Sequence, residues 1–293
     1  MDMLEQRLEQ AAQCLPPELR AALEGLPAAQ QARCEELRLR AGQPLAATVG
    51  GTERRLNSRA LEPTQLAEIL RRATAYSVHA FTGSLRQGFV TVRGGHRIGV
   101  CGQTAVQEQE LLSYRHISSL NIRVARQVTG AAPAALVRQL CERGSVCSAL
   151  FLAPPGRGKT TLLRDLARQL SDSGIRTALA DERAELAALY EGMPQFDIGT
   201  HTDVLDGCPK AEAAMILVKT MSPQLLVLDE LTSERDVRAA ECASHCGTAV
   251  LASAHAWDLD DFRLRPLYQR LAEARIFDRL FCIGSDRTVV PVP

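Results

Sequence analysis

The sequence predicts an α/β protein: an N-terminal α+β domain over residues 1–130, then a domain over residues 131–293 built on a mostly parallel sheet. Three observations predict this. From Ala134 onward, apolar runs of strand length alternate with helical stretches, the pattern of a sheet covered by helices. Within that region, Ala153-Pro154-Pro155-Gly156-Arg157-Gly158-Lys159-Thr160 lies between a strand pattern and a helix pattern, the context a phosphate-binding loop needs. The region before Gly130-Ala131-Ala132-Pro133, a break rich in small residues and proline, mixes short helices with a hairpin pattern.

Residues 1–45 are rich in Glu, Arg, Gln, Ala and Leu, with breaks at Pro16-Pro17 and Pro27. They read as short helices followed by a strand at 36–40. Residues 64–75 read as a helix whose opening cap is Thr64, after Pro63. Gly88-Phe89-Val90-Thr91-Val92, a Gly94-Gly95 turn and His96-Arg97-Ile98-Gly99-Val100 form a hairpin pattern. Another strand is expected at 118–124. In the second region, 147–152 reads as a short buried strand. Residues 160–170 read as a helix with Leu162, Leu163, Leu166, Ala167 and Leu170 on one face. Strands are also expected at 176–180, 225–228 and 248–252, giving a RecA-like alternation. No repeats or low-complexity tail are found.

The loop carries chemistry because of its geometry. Backbone N–H groups and the open helix end face one concavity, and the helix dipole adds positive potential. Pro154, Pro155, Gly156, Arg157, Gly158, Lys159, Thr160 and Thr161 are expected to cradle ATP. Lys159 would reach the β- and γ-phosphates, and the Thr160 hydroxyl would sit on Mg2+. Ala153 stands where the first glycine is expected, and a small residue suffices there unless the backbone needs a positive φ.

The strand at 225–228 ends in Asp229-Glu230, which looks like a Walker B element. Asp229 would hold Mg2+ through water, and Glu230 would orient or activate the attacking water. The alternative is a core strand running into a charged turn. Two other strands lead into Asp181-Glu182-Arg183 and Ser253-Ala254-His255. Ligands of open α/β sheets lie at the carboxyl ends of the strands, so these clusters would converge on one cleft. Glu182 is a second candidate for positioning water. His255 is either a γ-phosphate sensor or a structural histidine.

The order of loop, acidic box (Asp181-Glu182), Walker B (Asp229-Glu230) and histidine box (Ser253-Ala254-His255) resembles that of the secretion and pilus motor ATPases. The closer resemblance is to the stage III sporulation protein AA family of spore-forming bacteria. It is carried by Glu36-Leu37-Arg38-Leu39-Arg40, Gly94-Gly95-His96-Arg97-Ile98-Gly99 and Ser119-Leu120-Asn121-Ile122-Arg123-Val124-Ala125-Arg126. Asp181-Glu182-Arg183 and Thr202-Asp203-Val204-Leu205-Asp206-Gly207 extend it, so it spans from about Glu36 to His255. The resemblance implies a cytosolic ATPase of the mother cell, peripheral at the mother-cell face of the forespore membrane. There it would act with channel and membrane proteins of the sporulation system. It also implies a homo-oligomer, a ring of six, with an arginine supplied across the subunit boundary to neutralise charge on the γ-phosphate. Arg123 and Arg126, on the last strand before the break, are the candidates, with Arg97 a third; surface or inter-domain ion pairs are the alternative.

Composition narrows the classes. Lys and Arg number 34 and Asp and Glu 34, a formal charge of zero, so no nucleic-acid partner is expected. No apolar run is long enough to span a membrane. The start, Met1-Asp2-Met3-Leu4-Glu5-Gln6-Arg7, lacks a signal-peptide core. Nine scattered cysteines, most expected in apolar surroundings such as those of Cys147 and Cys282, suit a reducing compartment. Cys242, His245 and Cys246 lack an evident fourth ligand and are expected to be packing residues, not a metal site. His79, His96 and His116 are expected to be structural loop or turn residues. Three rival readings stay open: a nucleic-acid translocase, a scaffold that binds nucleotide and hydrolyses little, and a small-molecule kinase.

Overall fold

A computed structural model of the protein describes residues 3–76, 82–107, 110–142 and 145–292. His79 lies outside the described residues. Contacts divide the chain into two compact units: Met1–Arg126 with Leu189–Gln195, and Gln127–Ala188 with Phe196–Pro293.

The first unit opens with helices α1 (Met3–Ala11), α2 (Pro17–Glu24) and α3 (Ala28–Gln31). Pro17 stands in the first turn of α2, where a missing N–H costs no helical hydrogen bond. There follow β1 (Cys34–Arg40), β2 (Pro44–Val49), β3 (Thr52–Ala60), α4 (Pro63–Ala73), α5 (Thr82–Arg86), β4 (Phe89–Val92), β5 (His96–Gln107) and β6 (Glu110–Arg123). The six strands make one antiparallel sheet in the order β3-β2-β1-β6-β5-β4. Alternate residues Leu37 and Leu39 of β1, Ile98 and Val100 of β5, and Leu120 and Ile122 of β6 point to one face. Leu66, Ile69, Leu70 and Ala73, one stripe of α4, enter the same core. Thr64 is not the cap of α4. Pro63 takes the first helical position and Glu62 is the N-cap, its N–H donating to Gln65 Oε1 at 2.9 Å.

The histidines also differ from expectation. His96 opens β5 and is fully buried, and His116 is exposed on β6, so neither is a loop residue. Ala125 N–H donates to His96 Nδ1 at 3.0 Å. Burial, with help from the Arg7 charge, pushes the ring down to about 4.

The second unit contains α6 (Ala134–Leu140), a two-stranded ribbon of β7 (Cys141–Glu142) and β8 (Ser145–Val146), then β9 (Ala149–Leu152), α7 (Lys159–Asp172), β10 (Thr177–Asp181) and β11 (Thr202–Asp206). It continues with α8 (Lys210–Met221), β12 (Leu225–Glu230), α9 (Glu234–His245), β13 (Ala249–Ala254), α10 (Leu259–Leu264), α11 (Pro266–Glu273), β14 (Arg279–Ile283) and β15 (Val289–Val292). Its sheet runs β11-β10-β12-β13-β9-β14-β15, parallel except for the last pair. β9 and β10 are buried at every position. A parallel strand covered on both faces must be apolar throughout, which is why these runs are continuous in the sequence. Phe151 of β9 stacks on Phe281 of β14 with ring centroids 5.3 Å apart. Such a pair contributes about 1 kcal/mol beyond its buried area. Ala132, in the predicted break, is buried, and its N–H donates to Asp165 Oδ2 of α7 at 2.8 Å.

Candidate functional site

Adjacent strands β10, β12, β13 and β9 bring four polar strand ends to one edge of the sheet. Between β9 and α7 the chain turns at Gly156 (φ 76°) and Gly158 (φ 86°), and Gly158 is the left-handed N-cap of α7. A side chain at Gly158 would be strained by that backbone. Ala153 does not adopt a positive φ, so alanine is tolerated at the place of the usual first glycine. Its N–H donates to Ala254 O of β13 at 3.2 Å.

Lys159 is 7 % exposed. Its Nζ donates to Ala153 O at 2.8 Å and Pro154 O at 3.2 Å, so it folds over its own loop. Burial lowers its pKa from the ordinary lysine value, against the pull of Glu230 and Asp229. Thr160 Oγ1 donates to Asp229 at 2.9 Å. Burial raises the Asp229 carboxyl to about 6, and the charges of Glu185, Asp181 and Glu230 add to this, while Thr160 opposes it. His255 Nδ1 lies 3.3 Å from Glu230 Oε1. Burial and the Lys159 charge hold the His255 ring below its ordinary value, hence neutral at pH 7. A neutral ring has one N–H. With its N–H at Nδ1, a neutral ring is within reach of Glu230 Oε1.

These residues border one cavity of about 590 Å³. The lining includes residues 155–161, the polar Asp181, Glu182, Lys210, Asp229, Glu230 and His255, and the apolar Val128, Ala131, Ile283 and Val289. Pro154 contributes its carbonyl to Lys159 instead of lining the cavity, and Arg157 Nη1 donates to Ser285 O at 3.3 Å. The residues fit a magnesium nucleotide. The first-turn N–H groups of α7 have no intrahelical acceptors. A hydroxyl and a carboxylate at hydrogen-bond distance are hard oxygen donors suited to Mg2+.

Three features were not read from the sequence. Asp181, though it lines the cavity, accepts on its carboxylate the N–H groups of Glu185, Leu186, Ala187 and Ala188 and so fixes the following loop. Lys210, the first residue of α8, is 8 % exposed and donates its Nζ to the Glu230 carbonyl. Pro209 before it marks a helix start, the one sequence signal that could have placed it there. Third, Arg126 is not on the last strand of its unit. β6 ends at Arg123, and Arg126 Nη2 donates to Cys34 O at 2.7 Å. Arg123 Nε lies 3.4 Å from Glu36 Oε1 with its side chain 64 % exposed. Arg97 lies 4.0 Å over the Phe89 ring.

The cysteine expectations need correction. Cys14 and Cys34 are buried, Cys282 is half-buried against the apolar core of the second unit as expected, and Cys147 is intermediate, but Cys101, Cys242 and Cys246 are exposed. Cys242, His245 and Cys246 are exposed on or just past α9 and are not packing residues. No cluster of metal-ligating side chains occurs among the described residues.

A model of the family described as sporulation stage III, protein AA, matches residues 5–291 of the chain. The chain belongs to the stage III sporulation protein AA family. It is 38 % identical over 287 residues to stage III sporulation protein AA of Bacillus subtilis strain 168, covering 93 % of this chain and 89 % of that protein. Among solved structures, the Legionella pneumophila ATPase DotB superposes with a TM-score of 0.61 at 16 % identity, over 95 % of this chain and 80 % of DotB. The pilus retraction motor PilT, solved with bound ADP, gives 0.60 at 16 % identity, over 99 % of this chain and 82 % of PilT. The family member described here therefore has the fold of secretion and pilus ATPases. Among its described residues, no helix is long and apolar enough to cross a membrane.

Proposed function

We propose that the protein is a Mg2+-dependent ATPase, a motor of sporulation that energises the channel between mother cell and forespore. The observation that carries this reading is the Thr160–Asp229 hydrogen bond, which joins the phosphate loop to the acidic strand end in the lining of one cavity. Bound Mg-ATP supplies an electrophilic phosphorus and a leaving group whose charge the metal offsets. The chain supplies the rest. Lys159 and the N–H groups of residues 156–161 bind phosphate oxygens, and Thr160 and Asp229 hold the metal. Glu230, oriented by His255, takes a proton from water, and Glu182 helps position that water. The apolar lining residues accommodate the base.

In this reading residues 1–130 and 131–293 act as two domains that move relative to each other as the γ-phosphate is lost. The working form is a homo-hexameric ring, cytoplasmic and peripheral at the mother-cell face of the forespore membrane, docked on channel proteins. Arg123 is the better arginine to act across a subunit boundary, because it is exposed while Arg126 is committed to Cys34. Calorimetric titration with Mg-ATP tests the site. Lys159→Ala should weaken binding at least tenfold while the fold, by circular dichroism, is retained. Unchanged affinity would overturn the phosphate-loop assignment.

A further inference from the structure

The ammonium of Lys210 occupies an unusual place. It stands at the N-terminus of α8, where the helix dipole disfavours a cation, and it is 8 % exposed. Burying a charge there is costly unless its surroundings repay it. Three oxygen groups surround Nζ. It donates to the main-chain carbonyl of Glu230. It lies 3.6 Å from Asp236 Oδ2 and 3.9 Å from Glu182 Oε2. Asp236 accepts the N–H groups of Thr232 and Ser233 and so caps α9. A lysine has three donors. One reaches Glu230; the other two face carboxylates just beyond hydrogen-bond distance. Lys210 thus touches the end of β12 and also faces Glu182, from inside the same cavity.

We propose that Lys210 is a positioning residue for hydrolysis: it fixes the main chain at Glu230 and draws Glu182 into place, so that both carboxylates address the same water. The proposal rests on the ATPase reading. Lys210 acts through the two glutamates and not on phosphate, since Lys159 and the α7 N-terminus already serve that role. Its removal should therefore affect turnover and leave nucleotide affinity nearly intact.

The test compares wild type, Lys210→Met, Lys210→Arg, Glu182→Gln and the double variant Lys210→Met/Glu182→Gln. Three readouts are used: calorimetric affinity for Mg-ATP, phosphate release, and amide hydrogen exchange without nucleotide. Lys210→Met should keep affinity within about threefold and lose tenfold or more in turnover. It should also exchange faster at residues 230–236. Lys210→Arg should recover part of both losses. In the Glu182→Gln background, Lys210→Met should cost less than it does alone, because part of its action is already gone. Wild-type turnover with unchanged exchange in Lys210→Met would overturn the proposal, as would a loss of affinity equal to the loss of turnover. If the wild type binds Mg-ATP without releasing phosphate, the hydrolysis reading fails and takes this role with it. Faster exchange in Lys210→Met would then leave only a structural tie.

Discussion

Thr160 Oγ1 donates to both carboxylate oxygens of Asp229, at 2.9 and 3.2 Å, and so joins the first turn of α7 to the end of β12. The two groups that would hold Mg2+ are in direct contact. Asp229 is held at about 6, above the ordinary 3.8, because burial penalises its anion and other carboxylates surround it. A raised folded-state value means that this group contributes stability below the ordinary value, and that the contribution is lost as pH rises through about 6. At neutral pH the ionised carboxylate costs the fold on the order of 3 kcal/mol.

Asp229→Asn should therefore raise the melting temperature of the nucleotide-free protein at pH 7.5 by several degrees, with the gain fading toward pH 4. The same variant should lose the Mg2+-dependent part of ATP binding. Thermal melts at the two pH values check the first outcome. No stabilisation at pH 7.5 contradicts the account of a strained anion.

Glu230→Gln and Glu182→Gln should keep ATP bound and slow its hydrolysis, at least one of them about a hundredfold, the usual scale for a general base. Both leave Lys159, Thr160 and Asp229 in place. Phosphate release with saturating Mg-ATP is the measurement, and wild-type rates in both variants would remove these carboxylates from the mechanism.

An arginine acting across a boundary can be separated from one acting within its own subunit. Mixed rings of Arg123→Ala and Glu230→Gln subunits contain some interfaces with both groups intact, so part of the turnover should return. Mixtures as inactive as their components, with mixed rings confirmed by mass, would sink the trans assignment. Arg126→Ala should behave differently. It removes a hydrogen bond to Cys34 O, so it should lower the melting temperature as well as any activity.

The parallel strands of the second unit were readable because burial on both faces demands uninterrupted apolar runs with polar residues only at their ends. That placed Lys159, Thr160, Asp229, Glu230, Glu182 and His255 at one sheet edge, and the cavity gathers all six. The first unit was less readable. β3 is largely exposed and reads Thr-Glu-Arg-Arg-Leu-Asn-Ser-Arg-Ala, with no alternation to betray a strand. β5 and β6 run far beyond the predicted hairpin, paired through bulges that break the two-residue period. Asp181 was legible as part of an acidic strand end, but nothing in residues 183–188 announces that their N–H groups need its carboxylate as an acceptor. Lys210 was invisible for a related reason. Its meaning depends on the Glu230 carbonyl, a main-chain group that no side-chain pattern encodes.

His96 provides a test within the first unit. Its folded-state value of about 4 lies below the ordinary 6.5. The unfolded chain therefore binds a proton that the folded chain refuses, and stability falls as pH drops from 6.5 toward 4, by up to roughly 3 kcal/mol. His96→Gln should flatten that part of the stability curve. Urea melts at pH 7, 5.5 and 4.5 measure it, and an equally steep fall in the variant would assign the slope to other groups.

Turnover of ATP in this cavity can be measured on the purified protein. The most direct measurement is phosphate release from Mg-ATP by the purified wild-type protein beside Lys159→Ala. The wild type should release phosphate steadily, with a requirement for Mg2+ and saturation by ATP, and Lys159→Ala should abolish the release. Release no faster than that of Lys159→Ala, at saturating ATP and with Mg2+ present, would contradict it.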